Sequence, residues 1–195
     1  MIKKIELIAI GSSTGGVEAL AAILPKLRPP LPPIVIVQHI PAGFSKMFAD
    51  RMNRESALTV KEGEDGEVIK PNWAYIAPGG IHMKLVQSPQ GLHIRCFMAP
   101  PVHSCRPAVD ILFFSVAELV GAGALGVILT GIGKDGAAGL LEMKRRGAVT
   151  LGQDEASSAV YGMPRSAFEC GAVMRQVALD GMPLAITSIA NKVRG

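Results

Sequence analysis

Short apolar runs alternate along the chain with stretches whose apolar residues recur at helical spacing. Ile5 to Ile10 is the first such run, largely β-branched and closed by Gly11, as a buried parallel strand reads. Val17 to Leu27 sets Leu20, Leu24 and Leu27 on one stripe and predicts a helix. A proline-rich connection, Pro29 to Pro33, leads into a second strand, Ile34 to Gln38, and Phe44 to Met52 again has helical spacing. From Val60 to Cys96 the pattern changes to short extended runs broken by turn residues such as Pro78-Gly79-Gly80 and Ser88-Pro89. Trp73 to Ala77, His82 to Val86 and Leu92 to Cys96 read as strands there, the last two as a hairpin.

After Pro107 the alternation resumes. Ala108 to Val120 predicts a helix, Ala124 to Thr130 a strand, Asp135 to Arg146 a helix, Ala148 to Leu151 a strand and Pro183 to Val193 a last helix. The expected fold class is therefore α/β: a doubly wound, mostly parallel sheet flanked by helices, with a β-rich hairpin insert in the middle. Residues 1–195 are expected to form one domain, a length that a single core can serve.

Composition narrows the function classes. An apolar fraction of 49% with 18% charged residues fits a packed core and excludes a disordered chain. Aromatics at 5% leave too few rings for a stacking platform, and a net charge of +4 is a weak pull on polyanions, so no nucleic-acid partner is expected. Lys144-Arg145-Arg146 reads as the last turn of a helix, where cations suit the dipole. Three scattered cysteines (Cys96, Cys105 and Cys170) without a C-x-x-C pair argue against disulfides and structural zinc, and are expected to be buried, reduced thiols. Lys3 and Lys4 before a short apolar run mimic a signal peptide, but Glu6 interrupts it. No segment has the length of a membrane span, so no membrane insertion and a cytoplasmic location are expected.

Candidate chemistry begins in the loop Gly11-Ser12-Ser13-Thr14-Gly15-Gly16, between a strand and a helix. Read as a dinucleotide fingerprint it lacks the second glycine, and read as a phosphate loop it lacks the lysine. Read as G-x-S-x-G it would hold the Ser13 hydroxyl on a sharp turn beside helix N–H groups. His39 follows the strand ending at Gln38, and Asp135 follows the strand starting at Ala124; both fall at the same sheet edge as Ser13. The three residue types make a nucleophile, a base and an orienting carboxylate. Asp135 could equally cap the helix it precedes, and Asn caps about as well as Asp, so Asp135→Asn is expected to leave the melting temperature almost unchanged. His82, His93 and His103 are read as structural or solvated. The rival function is a binding module in which the Gly11–Gly16 loop cradles a phosphate or nucleotide without catalysis.

Six stretches in order carry a resemblance. They are Ile10 to Gly16, Gln38-His39-Ile40-Pro41, Tyr75 to Gly79, Arg106 to Asp110, Leu129 to Ala137, and Tyr161-Gly162-Met163-Pro164. In these the chain resembles the protein-glutamate methylesterases of bacterial chemotaxis, the CheB-type enzymes. The resemblance implies Ser13, His39 and Asp135 as catalytic triad, with Thr14 and the backbone at Ile132 at the oxyanion site. Ile132 stands where many members have methionine, an exchange that keeps the backbone donor. It further implies hydrolysis of glutamate methyl esters on the cytoplasmic helices of chemoreceptors, with release of methanol and in some members glutamine deamidation. No metal or organic cofactor is expected. Members usually carry an N-terminal receiver domain; none is expected within this chain, so a receiver on a separate chain or in a longer protein is a candidate partner.

Overall fold

The computed structural model describes residues 4–192, so the expected end of the last helix at Val193 lies outside the described residues, as does Lys3. In chain order the elements are β1 (Leu7–Ser12), α1 (Gly16–Ile23), β2 (Ile34–Gln38), α2 (Phe44–Glu55), β3 (Thr59–Glu62), β4 (Trp73–Ile76), β5 (His82–Ser88), β6 (Gly91–Phe97), α3 (Val109–Leu119), β7 (Ala124–Ile128), α4 (Ala137–Arg145), β8 (Val149–Gln153), α5 (Met163–Glu169), β9 (Arg175–Val177) and α6 (Met182–Ala190). Seven strands form one sheet in the order β3-β4-β2-β1-β7-β8-β9, every neighbouring pair parallel. This is the doubly wound α/β architecture that the alternation predicts.

The central strands are buried along their whole length, which is why they read as unbroken apolar runs. Successive side chains leave by opposite faces. Ile8, Ile10, Ile34 and Ile36 pack with Leu20 and Ile23 of α1, Phe48 and Met52 of α2 and Ile186 of α6. Leu7, Ala9, Val35 and Val37 pack with Phe113 and Val116 of α3, Leu140 and Met143 of α4, and Met83, Leu85 and Ile94 of the β5–β6 hairpin. The strand order reverses between β1 and β7, and the carboxyl ends of the strands there form the crevice in which α/β sheets of this kind place their sites.

The structure corrects the sequence reading in four places. The β-rich middle is not all insert: β3 and β4 extend the parallel sheet, and only β5–β6 stand apart. The first helix ends at Ile23 and tightens to a 3-10 turn over Leu24–Lys26, because Pro25 has no N–H to continue it. The helix α5 and the edge strand β9 escaped the pattern, being seven and three residues long. The cysteines are free, as expected, yet not buried: Cys96 and Cys105 are half-buried and Cys170 is exposed.

Candidate active site

Register alone brings the first two candidates together. Ser12 of β1 pairs with Gln38 of β2, so Ser13 and His39 leave adjacent strand ends side by side. The His39 N–H donates to the Ser12 carbonyl at 3.0 Å, and the Ser13 N–H donates to the Thr130 carbonyl beyond β7, also at 3.0 Å. Gln38 then locks the two loops to each other. Its Nε2 donates to the carbonyls of Ser13 (2.8 Å) and His39 (3.0 Å), and its Oε1 accepts from Ser12 Oγ at 2.6 Å. Ser12 and Gln38 are both fully or nearly fully buried. Gln38→Leu would leave buried polar groups without partners and is expected to cost about 3 kcal/mol, read by denaturant unfolding.

His39 Nε2 lies 2.7 Å from Asp135 Oδ2. The carboxylate only accepts, so Nε2 carries the hydrogen of the neutral ring and Nδ1 keeps the lone pair. Asp135 has two further donors: the N–H of Val109 reaches Oδ2 at 2.7 Å and that of Asp110 reaches Oδ1 at 2.9 Å. Asp135 therefore caps a helix, though not the one it precedes: it caps α3, which packs beside α4 on the same face of the sheet, whereas α4 starts on Gly136 without a side-chain cap. The approach of α3 depends on Gly11, where a Cβ would lie 2.3 Å from Val109 Cγ1.

Ser13 is half-buried, and among the described residues its hydroxyl makes no hydrogen bond. Gly131 lies against it; a Cβ at that position would be 2.7 Å from the Ser13 Cβ. Thr14 is exposed, with its carbonyl accepting from Thr130 Oγ1 at 2.9 Å, and α1 starts two residues later. Ile132 is 66% exposed on the loop after β7. It borders an open groove of about 590 Å³ with Asp135, His103, Cys105, Tyr161 and Arg165. Neither Ser13 nor His39 lines that groove, but two residues that do, Cys105 and Asp135, touch the His39 ring.

Three residues near the site escaped the sequence reading. Gln38 could have been noticed as the polar end of an otherwise apolar strand. Cys105 sets Sγ 3.4 Å from His39 Nδ1, a contact no spacing announces. Asp110 is buried, accepts from Gly139 N–H at 2.7 Å and pairs with His103 Nε2 at 3.0 Å. Burial pushes its carboxyl above the usual carboxylate range, with the charge of Asp135 adding to the rise. A carboxyl raised on folding contributes stability that is present below its unfolded pKa and lost as pH rises through the folded one. Asp110→Asn should therefore gain stability relative to the wild type as pH rises from acidic to neutral, measured as a denaturant midpoint at each end. His82 is structural: buried, it receives the Ala108 N–H and pairs with the Pro100 carbonyl.

A family model described as CheB methylesterase matches residues 8–186. The chain is 54% identical over 190 residues to protein-glutamate methylesterase/protein-glutamine glutaminase 1 of Caulobacter vibrioides, covering 97% of this chain and 55% of that protein. It is 53% identical over 175 residues to the protein-glutamate methylesterase/protein-glutamine glutaminase of Yersinia pestis, covering 90% of this chain and 50% of that one. The chain thus spans about half the length of the curated relatives it matches. The crystal structure of the Thermotoga maritima CheB methylesterase catalytic domain superposes with a TM-score of 0.91 at 38% identity, covering 94% of this chain and 98% of that one.

Proposed function

The chain belongs to the CheB methylesterase family, and on that premise we propose that it hydrolyses methyl esters of glutamate side chains on the cytoplasmic helices of chemoreceptors, with Ser13, His39 and Asp135 as its triad. The observation that carries the reading is the 2.7 Å bond from His39 to a buried Asp135, at the strand end beside Ser13. Asp135 holds the Nε2 hydrogen, so Nδ1 is the atom that accepts the Ser13 proton as Oγ attacks the ester carbonyl. Substrate binding has to draw the Ser13 hydroxyl onto Nδ1, a tightening common when free sites meet substrate. The oxyanion is received by N–H groups at the Thr14 turn and the backbone at Ile132. His39 then gives the proton to methoxide, methanol leaves, and water cleaves the acyl-enzyme by the same route. No metal or organic cofactor enters these steps.

The relatives' names include protein-glutamine glutaminase, so receptor glutamines are a second proposed substrate. A receiver domain, in the remaining half of a longer protein or on a separate chain, is the proposed regulatory partner. Among the described residues no helix is long and apolar enough to cross a membrane. The test is methanol release from a methylated chemoreceptor fragment, beside labelling with a fluorophosphonate. Release together with covalent label on Ser13 is expected. Nucleotide binding without either would overturn the reading in favour of a phosphate-binding module.

A further inference from the structure

The ester chemistry leaves the Cys105 thiol unused, although its Sγ lies 3.4 Å from the one ring nitrogen of His39 that keeps a lone pair. A tetrahedral zinc ion holds an imidazole nitrogen at about 2.0–2.1 Å and a sulfur at about 2.3 Å, which sets those two atoms roughly 3.5 Å apart. His39 Nδ1 and Cys105 Sγ already stand at nearly that separation. The opposite ring nitrogen is fixed as well, because Nε2 bonds to Asp135 Oδ2 at 2.7 Å. A carboxylate behind the ring is the partner that metal-bound histidines ordinarily have; it sets the tautomer and makes the free nitrogen a better donor. Ligand atoms of His39, Cys105 and Asp135 all lie within 4.8 Å of one another. Cys105 also borders the open groove, which gives an ion a route in and leaves room for water to complete its shell.

We propose that His39 and Cys105 form a binding site for a thiophilic divalent cation, with Zn²⁺ as the reference ion, and that its occupation switches off ester hydrolysis. Binding forms a metal–nitrogen and a metal–sulfur bond, breaks the S–H bond and releases one proton to solvent; no electron is transferred. The ion takes the lone pair that must otherwise accept the Ser13 proton, so metal and catalysis exclude each other. Two protein ligands make a weaker site than the four of a structural zinc site, which suits a reversible inhibitor. Thiolate and imidazole select a borderline-soft ion, so Mg²⁺ and Ca²⁺ should not compete. The site stands on the ligand geometry alone; only its inhibitory effect rests on His39 being the base.

The experiment compares the wild type with Cys105→Ser and Cys105→Ala. Their backbone pairing with Val102 is independent of the side chain. Co²⁺ added to the wild type is expected to give a thiolate-to-metal charge-transfer band that Zn²⁺ displaces. Both variants should lose the band and bind Zn²⁺ at least about tenfold more weakly by calorimetry. Zn²⁺ should inhibit wild-type ester hydrolysis, a chelator should restore it, and the variants should keep their rates at the same Zn²⁺ concentration. A cobalt complex without the thiolate band, equal Zn²⁺ affinity in all three proteins, or equal inhibition of all three would overturn the proposal. Cys105-dependent Zn²⁺ binding with undiminished wild-type hydrolysis would uphold the cation site, overturn its inhibitory role and, with it, the assignment of His39 as base.

Discussion

Ser13→Ala is expected to abolish ester hydrolysis, lowering kcat by about 10⁴-fold or more, while the protein melts where the wild type does. The size follows from the role: without a nucleophile the base and its carboxylate have nothing to activate, and triads lose nearly their whole advantage when the serine goes. The unchanged stability follows from the surroundings. The Ser13 hydroxyl makes no hydrogen bond among the described residues, and its backbone tie to Thr130 does not involve the side chain. The measurements are methanol release from a methylated receptor fragment and a melting curve on the same preparation. Turnover within tenfold of the wild type would remove Ser13 from the nucleophile's place.

Asp135→Asn is the second large effect, and it should act on rate and stability together. The amide can present an N–H where the His39 ring needs an acceptor, which favours the wrong tautomer and removes the charge that steadies the imidazolium. A kcat loss of roughly 10²- to 10³-fold is expected, less than the ~10⁴ of the serine-protease precedent because an ester is the easier substrate. The sequence-based expectation of an unchanged melting temperature does not survive the structure. Both carboxylate oxygens of Asp135 accept from α3 N–H groups, and an amide offers only one acceptor. One buried donor then faces an NH₂ group, a cost of about 1–3 kcal/mol. The melting temperature should fall by roughly 3–8 °C. Loss of stability with near-normal kcat would leave Asp135 as a cap and reduce the site to Ser13 and His39.

The strands at the centre of the sheet were legible because burial on both faces forces an unbroken apolar run, and their shortness and β-branched content set them apart from buried helix. Candidate site residues were legible for a related reason: parallel strands put all their carboxyl ends on one edge, so Ser13, His39 and Asp135 could be gathered from their positions after Ile10, Gln38 and Thr130. Elements at the rim were harder. The edge strand β9 has two exposed residues out of three and no apolar signature. The start of α5 at Met163-Pro164 resembles a turn until its tertiary contacts are known. The contact of Cys105 with His39 joins residues 66 apart through a loop with left-handed backbone at His103 and Ser104, and no local pattern encodes such a path. The capping of α3 by Asp135 is likewise a relation between two elements, visible in neither alone.

The Gln38 amide has a consequence for how the site can vary. By tying the carbonyls of Ser13 and His39 to one buried side chain, it makes the two loops a single casting, in which neither moves without the other. A change of substrate preference can hardly be written there, since any shift would break both loops at once. On the proposed reading it has to be written on the loops carrying Cys105 and Ile132, which line the open groove. The sheet edge thus fixes how Ser13 and His39 sit against each other, and the groove loops are left free to differ.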